Sequence, residues 1–173
     1  MSRAQSSKTQ PEESTTPEFI FRQAYRASRA LVAAAWTDPE QMARWWGPHG
    51  FTNQVCELDA RPGGHLRIDM RGPDGTVYPM VGAYEVVEPD RVVFTCVPLD
   101  EHGQPLFEVL NTVTLDERAG TTTQTVRARV RRVSPGATIY LAGMEAGWSQ
   151  SLERLADHLA QGSRGGAVVP VPS

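Results

Sequence analysis

Residues 36–64 read WTDPEQMARWWGPHGFTNQVCELDARPGG, and this stretch carries most of the fold prediction. Three of the four tryptophans in the chain, Trp36, Trp45 and Trp46, fall within sixteen residues of sequence together with Phe51. Asp-Pro, Gly-Pro and Pro-Gly-Gly turn signals interrupt the stretch. Large aromatic side chains are rarely left on the surface together. The segment therefore predicts either a dense corner of the core or the lining of an apolar pocket.

Two short helices and a first strand surround the start of this segment. Residues 19–25 form a short run of β-type residues and predict a first strand. Ser28 is placed to cap a helix over 29–36, and Asp38 is placed to cap a second one. Pro39 then occupies the first helical position, where its missing N–H costs nothing.

From Thr52 onward the sequence predicts a sheet with one face in solvent. In residues 65–70, apolar and polar side chains alternate strictly. The next strand is predicted over 77–87, with Tyr78, Met80, Tyr84 and Val86 on its inward face. Further strands are predicted over 91–97, 106–115 and 121–133.

The last element is a helix of about twenty residues. Leu141, Met144, Trp148, Leu152, Leu155 and Leu159 recur at helical spacing. Such a stripe can be buried only against the apolar face of the sheet. The predicted fold class is α+β: a curved antiparallel sheet of about six to seven strands around a long C-terminal helix, with two short helices after the first strand.

Composition limits the function classes. With 173 residues, 40% of them hydrophobic, the chain fits one domain, predicted over 18–161 between flexible tails at 1–17 and 162–173. The net charge of −3 gives no basic field for nucleic acid. No apolar run predicts a signal peptide or membrane insertion, so we expect a cytoplasmic protein with reduced cysteines.

The inward face of the sheet carries more aromatic and methionine surface than a two-layer core requires. Gly143 and Gly147 lie inside the last helix, where each costs about 1 kcal/mol relative to alanine, so either a close neighbour or open space is expected beside them. Polar groups among the aromatics are typical of small-molecule sites, although each can equally be a satisfied core group. We expect the cavity lining to be Trp36, Trp46, Phe51, Met70, Tyr78, Met80, Tyr84, Phe94, Phe107, Asn111, Met144, Glu145 and Trp148.

Catalytic signatures are scarce. No nucleophile elbow, phosphate-binding loop or metal-ligand spacing occurs in the sequence. His49 and Glu145 are the ionisable groups expected nearest a pocket mouth. We therefore expect no catalytic residue, no metal and no cofactor.

One strand carries a row of cationic side chains. Arg127, Arg129 and Arg131 alternate along residues 121–133, so their guanidinium groups share an exposed face. This row predicts either a docking surface for an acidic partner or a solvated strand that resists edge pairing.

Four segments together resemble a known family. They read TDPEQMARWWGPHGFT, CELDARPGGHLRIDMRGPDGTVYP, GAYEVVEPDRVVFT and GMEAGWSQSLERLADHL, and the resemblance covers about residues 19–160. The chain is similar to bacterial proteins related to the C-terminal domain of the activator of Hsp90 ATPase, in the START-like (SRPBCC) superfamily. The resemblance implies the helix-grip fold, shared with Bet v 1-like proteins, and a deep hydrophobic cavity.

The resemblance also sets the expected functions. Members of the superfamily bind lipids, polyketides or flavonoids, so the leading hypothesis is binding of a small, largely hydrophobic molecule without catalysis. One alternative is a polyketide cyclase or hydrolase that uses His49 or Glu145 as its general acid or base. Another is an Hsp90-type co-chaperone-like interaction module or stress-response protein. A homodimer and a chaperone partner stay open.

Overall fold

Residues 17–165 are described by the computed structural model, with side chains described up to residue 162. Residues 1–16 and 166–173, which hold most of the predicted tails, lie outside the described residues. The elements in chain order are β1 Glu18–Tyr25, α1 Arg29–Thr37, α2 Pro39–Trp45, β2 Thr52–Leu58, β3 His65–Arg71, β4 Val77–Glu88, β5 Arg91–Pro98, β6 Phe107–Arg118, β7 Thr121–Val133, a 3₁₀ helix at Thr138–Gly143, and α3 Met144–Gly165.

All seven strands form one antiparallel sheet in the order β1-β7-β6-β5-β4-β3-β2. The two short helices carry the chain from β1 at one edge to β2 at the opposite edge. The sheet curves around α3, which buries its apolar stripe against the concave face. The predicted α+β helix-grip architecture is confirmed.

The helix caps form as the sequence indicates. The Ser28 hydroxyl accepts a hydrogen bond from the Leu31 N–H at 3.2 Å, and the Asp38 carboxylate accepts one from the Glu40 N–H at 2.9 Å. Each cap satisfies an N–H that the first helical turn leaves without a partner. The caps therefore fix where α1 and α2 begin, next to the tryptophan-rich segment.

A β-bulge in β4 changes which side chains face inward. The pairing with β5 shifts between Tyr84 and Val86, so Val87 packs against the core. The prediction that Val86 shares the inward face with Tyr84 was wrong, because one inserted residue reverses the alternation that follows it.

Buried side chains form two clusters under the sheet. The larger one packs α1, α2 and the second half of α3 against the strands, and it includes Trp36, Trp45 and Leu155. A smaller cluster surrounds Val130 on the inner face of β6 and β7. Trp148 packs against both clusters.

The last helix differs from its prediction at both ends. Residues 138–143 form a 3₁₀ helix, so the α-helical part begins only at Met144. At the other end α3 extends to Gly165, four residues into the segment expected to be a tail. Among the helices described here, none is both long and apolar enough to cross a membrane.

Candidate functional site: an apolar cavity under the last helix

A cavity of about 180 Å³ that is open to solvent lies between the concave face of the sheet and the start of α3. It occurs where the two buried clusters meet, since its lining includes members of both. Its lining residues are Trp46, Gly47, Pro48, Met70, Met80, Cys96, Pro98, Phe107, Val109, Asn111, Met144, Gly147, Trp148 and Ser151.

Uneven packing of α3 leaves this space open. Leu152 and Leu155, in its middle, are at most 1% exposed. One helical turn earlier the packing is looser, and Trp148 is only partly buried. A β-carbon added at Gly147 would meet only Pro48, at 3.9 Å, and one at Gly143 would meet nothing within 4 Å. Gly147 therefore lies beside the open cavity, whereas Gly143 is exposed on the preceding 3₁₀ helix and not inside α3 as expected.

Two tryptophans form an aromatic wall. The ring centroids of Trp46 and Trp148 are 5.6 Å apart with the planes nearly perpendicular, at 78°. This edge-to-face geometry is favourable for aromatic pairs. Trp36 lies behind the wall, and its ring centroid is 6.4 Å from that of Trp148. This packing supports the Trp148 ring from the core side.

Polar atoms at the cavity are few. Asn111 is fully buried, and its amide nitrogen lies 3.3 Å from the Cys96 sulfur. Its Oδ1 atom is buried and has no hydrogen-bond partner. The Ser151 hydroxyl is already engaged, because it donates to the Gly147 carbonyl at 2.8 Å. None of the described lining residues is charged.

Burial raises the pKa of the Cys96 thiol well above its usual range, although the hydrogen bond from Asn111 opposes this effect. The thiol is therefore protonated and neutral at physiological pH. A nucleophile would require the thiolate. Cys96 consequently contributes a soft, weakly polar surface to the cavity.

Arg154 fixes the segment that forms one cavity wall. Its guanidinium donates to the carbonyls of Trp46 and Gly47, both at 2.9 Å, and to those of Pro48 and Arg44, both at 3.1 Å. Burial lowers the pKa of this guanidinium. In the sequence, nothing distinguishes Arg154 from the many other arginines.

Seven residues of the predicted lining do line the cavity. They come from the C-cap of α2, from the three strands β3, β4 and β6, and from α3, so the fold brings together side chains that are far apart in sequence. They are Trp46, Met70, Met80, Phe107, Asn111, Met144 and Trp148.

Three other predicted residues are in the core behind the cavity. The Trp36 indole N–H donates to Gln124 at 2.7 Å, and the Tyr84 hydroxyl donates to the Trp36 carbonyl at 2.9 Å. Phe94 packs against both rings and is 1% exposed. Their polar groups are satisfied within the core, so these residues support the lining without forming it.

The remaining three lie outside the cavity. The ring centroids of Phe51 and Tyr78 are 5.8 Å apart, and Tyr78 is 45% exposed. Tyr78 has the inward parity but lies next to the β3–β4 turn, one residue from the start of β4. Glu145 is exposed in the first turn of α3.

Neither residue considered for acid–base chemistry lines the cavity. The His49 imidazole lies 2.7 Å from the Glu153 carboxylate on α3, and its backbone N–H donates to Gln150 at 3.1 Å. His49 thus connects the loop before β2 to the last helix. Within residues 17–165, no three His, Cys, Asp or Glu side chains come close enough together to hold a metal ion.

The arginine row on β7 is partly neutralised. Arg127 lies 3.5 Å from Glu18, and Arg131 lies 3.3 Å from Glu85 and 3.5 Å from Glu108. These ion pairs are solvent-exposed and contribute little stability. They reduce the positive charge that an acidic partner would meet on this face.

Sequence reasoning missed seven lining residues. The sequence marks Gly147 as an unusual residue for a helix interior, but it does not assign this residue to the lining. The others are small, proline or sulfur side chains that carry no binding signal by themselves: Gly47, Pro48, Cys96, Pro98, Val109 and Ser151. Only their position in the fold brings them to the cavity.

The model of a protein family described as activator of Hsp90 ATPase homolog 1-like protein matches residues 26–160. No functionally curated protein matches the chain significantly.

Solved bacterial structures share the fold. The chain is similar to a protein of Arthrobacter aurescens, with 26% identity and a TM-score of 0.74, over 90% of this chain and 93% of that one. It is also similar to a protein of Nitrosomonas europaea, with 22% identity and a TM-score of 0.71, over 88% and 99%. The AHSA1 protein of Silicibacter pomeroyi has 23% identity and a TM-score of 0.71, over 84% and 99%.

Proposed function

Because the chain belongs to the activator of Hsp90 ATPase homolog 1-like family, we propose that it uses the START-like fold to bind a compact apolar small molecule under α3. The observation that carries this proposal is the cavity of about 180 Å³ with an almost entirely apolar lining. A concave, apolar surface with a few polar groups is typical of small-molecule sites.

The cavity volume supports a ligand of about one ring. An apolar cavity of about 150 Å³ accommodates benzene, whereas sites for drug-sized ligands measure about 300–1,000 Å³. Lipids, polyketides and flavonoids, the ligands implied by the superfamily, are larger than this space and would extend out of the open cavity into solvent. The proposal therefore narrows the expected ligand class to small monocyclic molecules.

Toluene is a suitable first probe. Burying about 150 Å² of its apolar surface contributes about 4 kcal/mol before the cost of association, so a Kd of about 1 mM is the tightest binding expected. Bound toluene should raise the thermal midpoint of unfolding in a concentration-dependent way. It should also change the fluorescence of the tryptophans, two of which line the cavity.

A cavity-filling variant tests the location. Gly147→Leu places a side chain into the space beside Pro48, and we expect it to weaken toluene binding at least tenfold. Gly162→Leu is the matched control, since Gly162 is exposed on the same helix and a β-carbon there would meet nothing within 4 Å. Equal toluene affinity in the Gly147→Leu and Gly162→Leu variants, or no response of the wild-type protein, contradicts the proposal.

A further inference from the structure

Asn111 is the most deeply buried polar side chain among the lining residues. Asn111 is fully buried on β6, between Phe94 of β5 and Ala128 of β7. Its Oδ1 atom has no hydrogen-bond partner, while its amide nitrogen makes one weak contact with Cys96. A buried polar atom without a partner is costly and needs an explanation. A ligand group that bonds to it supplies one.

The chemistry of the amide selects a hydroxyl group. With the nitrogen toward Cys96, the free atom is an oxygen that needs a donor. With the amide rotated by half a turn, the Cys96 S–H donates to the oxygen, and the NH₂ group needs an acceptor. A hydroxyl is both donor and acceptor, so it satisfies Asn111 in either orientation.

The rest of the lining selects a neutral aromatic ring. Met70, Met80 and Met144 surround the space with polarizable sulfur atoms, which make favourable contacts with ring edges. Trp46 and Trp148 add two aromatic surfaces. Because the described lining includes no charged side chain, a carboxylate or ammonium group would be buried without a counterion, which is strongly unfavourable.

We propose that the occupant is a neutral, one-ring aromatic molecule with a single hydroxyl group, of the phenol type, which hydrogen-bonds to the side-chain amide of Asn111. This inference rests on the proposed function and specifies the ligand class for the same cavity. It assigns Asn111 the role of the polar anchor. The other hydrogen-bonding side chains in the lining differ from it: the Ser151 hydroxyl donates to its own helix, and the indole N–H groups of Trp46 and Trp148 can donate but cannot accept.

Phenol and toluene are matched probes, because phenol carries a hydroxyl group where toluene carries a methyl group. The measured quantity is the ratio of the toluene Kd to the phenol Kd, in the wild-type protein and in variants. Asn111→Leu preserves the size of the side chain and removes the amide. We expect it to lower this ratio by about tenfold, because the buried hydroxyl loses its partner. Benzoate, which carries a charge, should bind at least tenfold more weakly than phenol.

Ser149→Ala, on the same helix but outside the lining, is the control variant and should leave the ratio unchanged. A second measurement does not depend on the folding of any variant: in the wild-type protein, the NMR signals of the Asn111 side-chain amide should shift with phenol and much less with toluene. Equal amide shifts, an unchanged ratio in Asn111→Leu, or benzoate binding as tight as phenol binding overturns the inference. If toluene still binds when the hydroxyl test fails, only the phenol inference is overturned and the proposed function stands. If no probe binds, the inference and the proposed function are both overturned.

Discussion

The unsatisfied amide of Asn111 lowers the stability of the free protein and is also the group proposed to bind the ligand. Leaving a buried polar group without a partner costs about 1–3 kcal/mol, whereas an apolar side chain of the same size avoids that cost. Residues that reduce stability in this way are typical of functional sites. Asn111 therefore connects the stability of the free protein directly to the proposed ligand.

We expect Asn111→Leu to stabilise the ligand-free protein by about 1 kcal/mol, since it removes the unsatisfied amide and keeps the cavity lined. The measurement is chemical denaturation at neutral pH. Gln124→Leu is the contrasting variant, because the buried Gln124 amide is fully engaged with Trp36 and Tyr25. It should destabilise the protein, and a destabilised Asn111→Leu would indicate that this amide is satisfied within the free protein.

His158 gives the protein a pH dependence at the residue scale. Burial, and then the positive charge of Arg44, lower the pKa of this imidazole below 6.5. The unfolded chain therefore binds a proton more readily than the folded one. Stability is lost as the pH falls through about 6.5 toward the folded pKa, and it is retained above that value.

The expected outcome is that the wild-type protein loses stability relative to His158→Gln between about pH 7.5 and pH 5. Glutamine keeps a hydrogen-bonding group opposite Gln41, whose side chain lies 3.2 Å from His158. Denaturation curves of both proteins across this range make the comparison. Parallel pH profiles, or a wild-type protein that gains relative stability in acid, would be inconsistent with a lowered pKa.

At the scale of elements, α3 is tightly packed at its middle, around Leu152 and Leu155, and loosely packed in its first turn. Gly147 adds no side-chain volume on the side of the cavity. A small change in side-chain volume at Gly147 should therefore affect both the helix and the cavity.

Gly147→Ala should stabilise the protein by about 0.5–1 kcal/mol, because alanine favours the helix and its β-carbon makes an ordinary contact with Pro48 at 3.9 Å. It should also weaken toluene binding about threefold, since it reduces the cavity volume. Thermal unfolding and binding measured on one sample test both effects. Gly162→Ala should give a similar or smaller gain in stability with no change in binding, and an equal loss of binding in both variants would place the ligand elsewhere.

Arg154 joins α3 to the wall segment that follows α2. Replacing it with lysine retains a charge but not the planar set of donors that reaches four carbonyls. We expect Arg154→Lys to destabilise the protein by about 2 kcal/mol, and to weaken ligand binding because Trp46 loses its fixed position. Unfolding experiments at low and high salt measure the change. A loss that disappears at high salt would indicate a charge effect instead of this hydrogen-bond network.

The elements were predictable where local rules decide them. Ser28 and Asp38 fix helix starts through short-range hydrogen bonds, and strict alternation identifies β3. The β4 bulge was not predictable, because it is set by pairing with β5. The 3₁₀ helix before Met144 was missed for a similar reason: helical spacing does not distinguish a 3₁₀ turn from an α-helical one over six residues.

At the scale of the whole molecule, the sequence indicated the site in outline only. It identified the inward face of the sheet and Gly147, from which a cavity under the last helix follows. It could not separate the lining side chains from those one layer behind them, such as Trp36 and Phe94, because both sets are aromatic and inward-facing. That distinction depends on packing between α1, α2 and α3, which sequence periodicity does not report.

The central claim is that a one-ring ligand occupies the space under α3, and the methionines report on it directly. Met70, Met80 and Met144 line the cavity, whereas Met42 is buried in the core on α2, outside the lining. Titration of methyl-labelled protein with toluene, followed by NMR, should shift the three lining methyl signals through the ring current and leave Met42 almost unchanged. Unshifted lining methyl signals at saturating toluene, or equal shifts at Met42, would contradict the account.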